Sequence, residues 1–83
     1  MPVNKLLKSL NKIQVRYNIM VKFIGFETKK EAIEYRKNHG GYLTYAYTAT
    51  GRKSHTYNDY MFAVHLGGLN QDKYPYCLQW NMH

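Results

Sequence analysis

The sequence predicts a small α+β protein with a four-stranded, mostly antiparallel sheet and two helices on one face of that sheet. Three patterns support this prediction. Residues 28–39 form a capped amphipathic segment, residues 13–24 alternate between apolar and polar side chains, and three further strand-like stretches follow residue 41. The chain has 83 residues, which is enough for one domain, residues 1–83, with a thin core.

Residues 28–39 carry the start and stop signals of a helix. Thr28 is followed three residues later by Glu31, which is the spacing of a capping box. Lys37 lies near the C-terminal end, where the helix dipole favours cations. Gly40 follows and can adopt the positive φ that ends a helix. Strand-like sequence on both sides predicts that the sheet packs on this helix.

Residues 3–12 are expected to form the second helix. Apolar residues recur there at helical spacing, and the lysines fall on the opposite side. The segment lacks the Trp or Phe typical of membrane-surface helices, so we expect its leucines to dock on the sheet. The apolar stripe is Val3, Leu6, Leu7, Leu10 and Ile13, and the lysines are Lys5, Lys8 and Lys12.

Four strands complete the predicted fold. Residues 13–24 are expected to be one long strand with a buried and a wet face, and a link through helix 28–39 allows a right-handed parallel crossover to the next strand. Residues 42–50, 58–66 and 74–82 are expected to form a three-stranded meander. For 58–66, a nine-residue helix beginning at Asn58 is the competing interpretation. The wet face is expected to carry Arg16, Lys22, Met61, His65, Cys77 and Gln79.

Composition restricts the environment and the partners. Twelve Lys and Arg against five Asp and Glu give a net charge of +7, which favours polyanions or an acidic protein surface. Nine tyrosines are typical of interfaces as well as of strands. One cysteine, no apolar run of roughly 20 residues and no signal-peptide pattern lead us to expect a cytoplasmic protein.

The sequence gives no pattern for catalysis, and we predict neither an enzyme nor a cofactor. The turn around Arg52 and Lys53 lacks the spacing of a phosphate loop. No paired spacing of zinc ligands is present. His65 and Cys77 could meet across a hairpin, with His39 as a third ligand, but we predict no metal site.

Cations interleaved with aromatic residues predict a binding surface. Such a surface suits an acidic protein partner, and it is also the footprint of nucleic-acid binding. A small basic nucleic-acid-binding protein is therefore the alternative function. The predicted partner-binding residues are Arg16, Lys22, Tyr45, Tyr47, Arg52 and Lys53.

The unit FETKKEAIEYRKNHGGYLTY, residues 26–45, together with the small size and the Lys/Asn/Tyr-rich composition, resembles early proteins of phages that infect Gram-positive hosts, including type II anti-CRISPR proteins. The resemblance implies a non-enzymatic inhibitor in the host cytoplasm. It would bind a host or defence protein, such as a Cas9-type effector, and block nucleic-acid loading. At a net charge of +7 it cannot mimic DNA, so an acidic patch or a protein–nucleic acid junction is the expected target.

Overall fold

The computed structural model describes residues 13–18 and 20–81, and the predicted helix 3–12 lies outside this part of the chain. The described part is an α+β fold, as predicted, with a four-stranded antiparallel sheet and two helices. In chain order the elements are β1 (Ile13–Asn18), β2 (Val21–Phe26), α1 (Lys29–His39), β3 (Tyr42–Tyr45), α2 (Tyr57–His65) and β4 (Tyr76–Asn81).

The last strand lies inside the sheet, whose order is β1-β2-β4-β3. Every neighbouring pair is antiparallel, with Ile24 opposite Leu78 and Leu78 opposite Leu43. Because β4 runs opposite to both neighbours, β2 and β3 point the same way but do not pair. The chain does pass from β2 through α1 to a strand of the same direction, β3. The two strands are not neighbours as a simple parallel crossover would require, because β4 lies between them.

The predicted long strand 13–24 is wrong in one respect, because it is a hairpin. β1 and β2 pair with Asn18 opposite Val21, and Met20 lies in the turn between them. Paired residues share a face of the sheet, so the α1 face carries odd-numbered residues of β1 and even-numbered residues of β2. Alternation alone missed the turn because β2 is covered on both faces and is apolar at both parities.

The strand predicted over 58–66 is a helix, α2, which was the competing interpretation. Tyr60 and Ala63 are fully buried, three residues apart, and this spacing puts both side chains on one helical face. Phe62 and Leu66, which a strand would place on the same face as Tyr60, are 37% and 58% exposed. The meander therefore has no middle strand. Its two outer strands, predicted over 42–50 and 74–82, are shorter than expected and pair directly as β3 and β4.

The two described helices lie on opposite faces of the sheet. The expectation that helices 3–12 and 28–39 share one face stays a prediction, because residues 3–12 lie outside the described part of the chain. Ala32 of α1 packs against Ile24, Phe26 and Leu78. Tyr60 and Ala63 of α2 belong to a second cluster, built on Phe23 and Cys77 of the same two central strands. Cys77, expected on a wet face, is 0% exposed. Strands covered on both sides are apolar at consecutive positions, as in Phe23-Ile24 and Cys77-Leu78.

The ends of α1 are those predicted. The Glu31 backbone N–H donates to the Thr28 hydroxyl at 3.2 Å, so Thr28 is the N-cap. At the other end Gly40 has φ 71° and its N–H donates to the Arg36 carbonyl at 2.8 Å. These contacts satisfy backbone groups that an uncapped helix would leave unpaired. They define where α1 begins and ends.

Candidate functional site

A short hairpin, residues 46–54, extends the chain beyond β3. Its arms are joined by two backbone bonds, from Ser54 N to Ala46 O at 2.8 Å and from Thr48 N to Arg52 O at 2.8 Å. Gly51 makes the turn with φ 84°, a conformation that glycine adopts without steric cost. This hairpin includes the sequence-predicted turn at residues 50–54 and fixes its backbone.

Buried hydroxyl groups lock the base of the hairpin. Thr56 Oγ1 accepts from the Tyr45 backbone N–H at 3.1 Å and donates to the Tyr45 carbonyl at 3.3 Å. Thr56 Oγ1 lies 2.8 Å from Ser54 Oγ, which in turn accepts from Thr56 N at 2.9 Å. One threonine thus satisfies both backbone groups of an edge-strand residue, as a neighbouring strand would. The hairpin is therefore held in one orientation relative to β3.

The hairpin presents aromatic rings and cations together. Tyr47 and Lys53 face each other as a β-bridge. Tyr47 is 50% exposed, and its ring lies 5.8 Å from that of Tyr57 in an edge-on arrangement. Lys53 Nζ lies over the Tyr57 ring, 4.6 Å from its centroid, within the range of a cation–π contact. Tyr47, Arg52, Lys53 and Tyr57 are called the hairpin surface below.

A pair of tyrosines adjoins the hairpin surface. The rings of Tyr45 and Tyr76 are 5.8 Å apart, and Lys29 Nζ of α1 lies 5.5 Å from the Tyr45 ring. Tyr76 and Tyr47 both line a cleft of about 300 Å³ that also includes Asp72. Four of the six predicted binding residues, Tyr45, Tyr47, Arg52 and Lys53, therefore lie at one end of the molecule.

The other two predicted residues lie elsewhere. Lys22 lies in β2, near the β1–β2 turn, where it pairs with Tyr17. Its Nζ lies 5.2 Å from the Trp80 ring centroid. Arg16 is exposed on the edge strand β1, opposite Phe23. The structure thus separates the single predicted surface into the hairpin surface and two isolated positions. Three aromatic residues that contact these positions were not among the predicted binding residues, and they are Tyr57, Tyr76 and Trp80. Their aromatic character is the only signal in the sequence that pointed to them.

The single cysteine, Cys77, is a buried free thiol. Burial in the core raises the pKa of the Cys77 thiol to about 12, although hydrogen bonds from Thr44 and others act in the opposite direction. Burial likewise raises the pKa of the Tyr60 phenol above its usual value. Both groups are protonated at neutral pH, and a thiol in that form is a poor nucleophile.

The trio considered for zinc is not assembled. Cys77 lies in the α2-side cluster, whereas His39 belongs to α1 on the opposite face and stacks on Tyr35 at 4.1 Å. Among residues 13–18 and 20–81, no three His, Cys, Asp or Glu side chains form a group that could hold a metal ion. No helix in this part of the chain has the length and apolar character to cross a membrane.

No protein-family model, curated protein or solved structure matches this chain.

Proposed function

We propose that this protein acts by binding another protein through the hairpin surface, as a non-enzymatic inhibitor of the phage type. The observation that carries the proposal is the packing of Lys53 over Tyr57, beside the half-exposed ring of Tyr47. Tyrosine and arginine dominate the binding energy of protein interfaces. The backbone and hydroxyl bonds at the base of the hairpin hold these side chains in place before binding, which lowers the entropy lost on association.

Charge selects the class of partner. The protein carries +7 overall, and two adjacent cations, Arg52 and Lys53, lie on the hairpin surface. An acidic patch on a cytoplasmic host or defence protein suits this surface electrostatically, and the attraction would also speed encounter. A Cas9-type effector is the first partner to test, with inhibition by obstruction of nucleic-acid loading as the mechanism.

The test is complex formation with purified Cas9-type effectors, followed by size-exclusion chromatography. The expected result is a stoichiometric complex that Arg52→Ala/Lys53→Ala weakens by at least tenfold. Arg36→Ala/Lys37→Ala is the matched control, because it removes an identical adjacent Arg–Lys pair from the exposed last turn of α1. Absence of a complex with every effector tested would exclude this partner. Equal loss in both double variants would show that net charge, and not the hairpin surface, drives binding.

A second function, nucleic-acid binding, is favoured by one observation. In the described part of the chain, lysines lie over aromatic rings at four places, among them Lys22 over Trp80 and Lys53 over Tyr57. Single-stranded nucleic acids bind to surfaces that combine base-stacking rings with cations. Micromolar protein in about 50 mM salt should then shift single-stranded DNA or RNA, and the affinity should fall steeply as salt rises. No shift under those conditions excludes this function and leaves protein binding.

A further inference from the structure

The cleft beside the hairpin surface has aromatic and acidic groups on the same lining. Tyr47 and Tyr76 line it, together with the fully buried Tyr60 and the exposed Asp72. Its volume of about 300 Å³ is at the lower limit of ligand pockets. The cleft is therefore of a size for one side chain or a ligand equally small.

Asp72 is the only charged residue that lines the cleft. In the described part of the chain, no Lys, Arg or His nitrogen lies within ion-pair distance of its carboxylate. This is notable in a protein that has twelve Lys and Arg against five Asp and Glu. The charge of Asp72 also reaches Tyr60, since it adds to the effects of burial and of Cys77 that raise the pKa of this phenol.

A hydrogen-bonded turn fixes the position of Asp72. The Asn70 side-chain oxygen accepts from the backbone N–H groups of Asp72 and Lys73 at 3.1 and 3.3 Å. The Asn70 carbonyl accepts from Tyr74 N at 2.9 Å, and Asn70 N donates to Gln14 Oε1 of β1 at 2.8 Å. The carboxylate is thus positioned before any ligand binds, which lowers the entropy lost on binding.

The lysines of this region engage other rings. Lys29, Lys53 and Lys73 lie over the rings of Tyr45, Tyr57 and Tyr74, respectively, and none of these three tyrosines lines the cleft. No lysine or arginine of the described residues lies over Tyr47 or Tyr76. The two rings that line the cleft therefore remain available to a cation from outside the chain.

We propose that the cleft binds an arginine side chain of a partner protein, with the guanidinium against Tyr47 and Tyr76 and paired with the Asp72 carboxylate. A guanidinium is planar, stacks on aromatic rings and is weakly hydrated, and it can donate two parallel hydrogen bonds to one carboxylate. A lysine ammonium is more strongly hydrated, and a quaternary ammonium has no N–H to donate. Two rings beside one unpaired carboxylate therefore favour arginine over either alternative.

The cleft adds a second requirement to the partner's surface. Arg52 and Lys53 of the hairpin surface suit acidic groups, whereas the cleft next to Tyr47 suits a cation. A partner that satisfies both presents an arginine beside an acidic patch, and this alternation of charge would fix the orientation of the complex. Arginine binding by the cleft does not depend on the proposed function, because a free arginine derivative is sufficient to test it.

The test is an NMR titration of the intact chain with Nα-acetyl-arginine N-methylamide. We expect saturable shifts of the Tyr47, Asp72 and Tyr76 amide signals, with a Kd on the order of 1 mM for so small a ligand. The citrulline derivative has nearly the same shape without the charge, and it should bind about tenfold more weakly. The net charge of +7 disfavours non-specific binding of a cationic probe.

Three outcomes would overturn the proposal. They are the absence of saturable shifts at these residues, equal affinity for the citrulline derivative, and tighter binding of tetramethylammonium or of the corresponding lysine derivative. The last outcome would assign the cleft to an ammonium group and not to a guanidinium.

Matched variants locate the binding. Asp72→Asn keeps the shape of the side chain and should weaken binding about fivefold, whereas Asp59→Asn removes an exposed carboxylate outside the cleft and should not. Tyr47→Leu should weaken binding about threefold, and Tyr42→Leu, at a similarly exposed position outside the cleft, should not. Amide spectra of the free variants verify that each is folded. Equal affinity of Asp72→Asn and the parent protein would contradict the pairing with this carboxylate.

Discussion

The Tyr60 hydroxyl of α2 donates a hydrogen bond to the Tyr74 carbonyl at 2.5 Å, just before β4 begins. Tyr60 is 0% exposed. The bond joins α2, which covers one face of the sheet, to the segment that leads into β4. This hydrogen bond explains why residue 60 is a tyrosine and not a phenylalanine, although the ring itself lies in the apolar core.

Tyr60→Phe should therefore destabilise the protein although it keeps the ring. We expect a loss of about 1–2 kcal/mol, since a buried hydrogen bond is lost, and a drop in Tm of roughly 4–8 °C per kcal/mol. Thermal unfolding by circular dichroism measures it. Tyr17→Phe, at a 62% exposed position, is the matched control and should leave Tm unchanged. An equal Tm for both variants would show that the bond contributes nothing.

Alkaline pH should destabilise the fold through Cys77. The pKa of this thiol rises from an ordinary 9.0 to about 12 in the folded protein. Below pH 9 the thiol is protonated in both states, so its contribution to stability is complete there. As pH rises towards 12 the unfolded thiol ionises and the folded one does not, so the free energy of unfolding falls, by at most about 1.4 kcal/mol per pH unit.

Cys77→Ala isolates this effect. The variant should be less stable at pH 7, because the core loses the sulfur atom. Its stability should then fall less steeply than that of the parent protein between pH 9 and 12. Urea unfolding at a series of pH values gives both slopes, and identical slopes would refute the assignment to Cys77.

Thr56 is not part of the hairpin surface, but its hydroxyl should be needed to keep the hairpin ordered. Thr56→Val removes the hydroxyl that serves both backbone groups of Tyr45 and contacts Ser54. We expect a loss of about 1–3 kcal/mol, because buried polar groups lose their partner. We also expect faster amide exchange at Thr48 and Ser54, whose N–H groups make the backbone bonds of the hairpin. Thr50→Val, at an exposed position in the same hairpin, removes a hydroxyl that lies 3.1 Å from that of Thr48, and it should change both quantities much less. Unchanged exchange in Thr56→Val would mean that the hairpin is ordered by other contacts.

The Trp80 ring packs directly against the backbone of Gly41, where no larger residue would fit without moving the ring. Gly41 has φ 107°, and a Cβ there would lie 2.7 Å from the Trp80 ring. Gly68 also has positive φ, 74°, but a Cβ there would meet open space. Gly68→Ala should therefore show the cost of backbone strain alone, about 1 kcal/mol.

Gly41→Ala should cost more, because the ring of Trp80 must also move. Trp80 is the only tryptophan in the chain, and its indole N–H donates to the His39 carbonyl at 3.1 Å. Its fluorescence should shift to the red in Gly41→Ala and stay constant in Gly68→Ala. Equal stability losses and unchanged fluorescence in both variants would show that the ring does not depend on this glycine.

Local signals in the sequence were sufficient for some elements. α1 was predicted because Thr28 and Gly40 act within a few residues of the backbone groups they satisfy. The turn that carries Arg52 and Lys53 was predicted for a similar reason, since glycine permits the positive φ at residue 51. α2 was misassigned because apolar residues there fit period two as well as the helical period. Only the contact of Tyr60 and Ala63 with the sheet distinguishes the two patterns.

The sequence by itself determined the α+β class, the caps of α1 and the excess of positive charge, because each depends on composition or on neighbours in the chain. The tertiary structure alone decided that β4 lies between β2 and β3, and this order depends on strand pairs whose residues are 31 to 60 positions apart in the chain. It buried Cys77, put α1 and α2 on opposite faces and separated Lys22 from the hairpin surface. Long-range pairing is chosen by the total apolar area that the whole chain can bury, which no local pattern records.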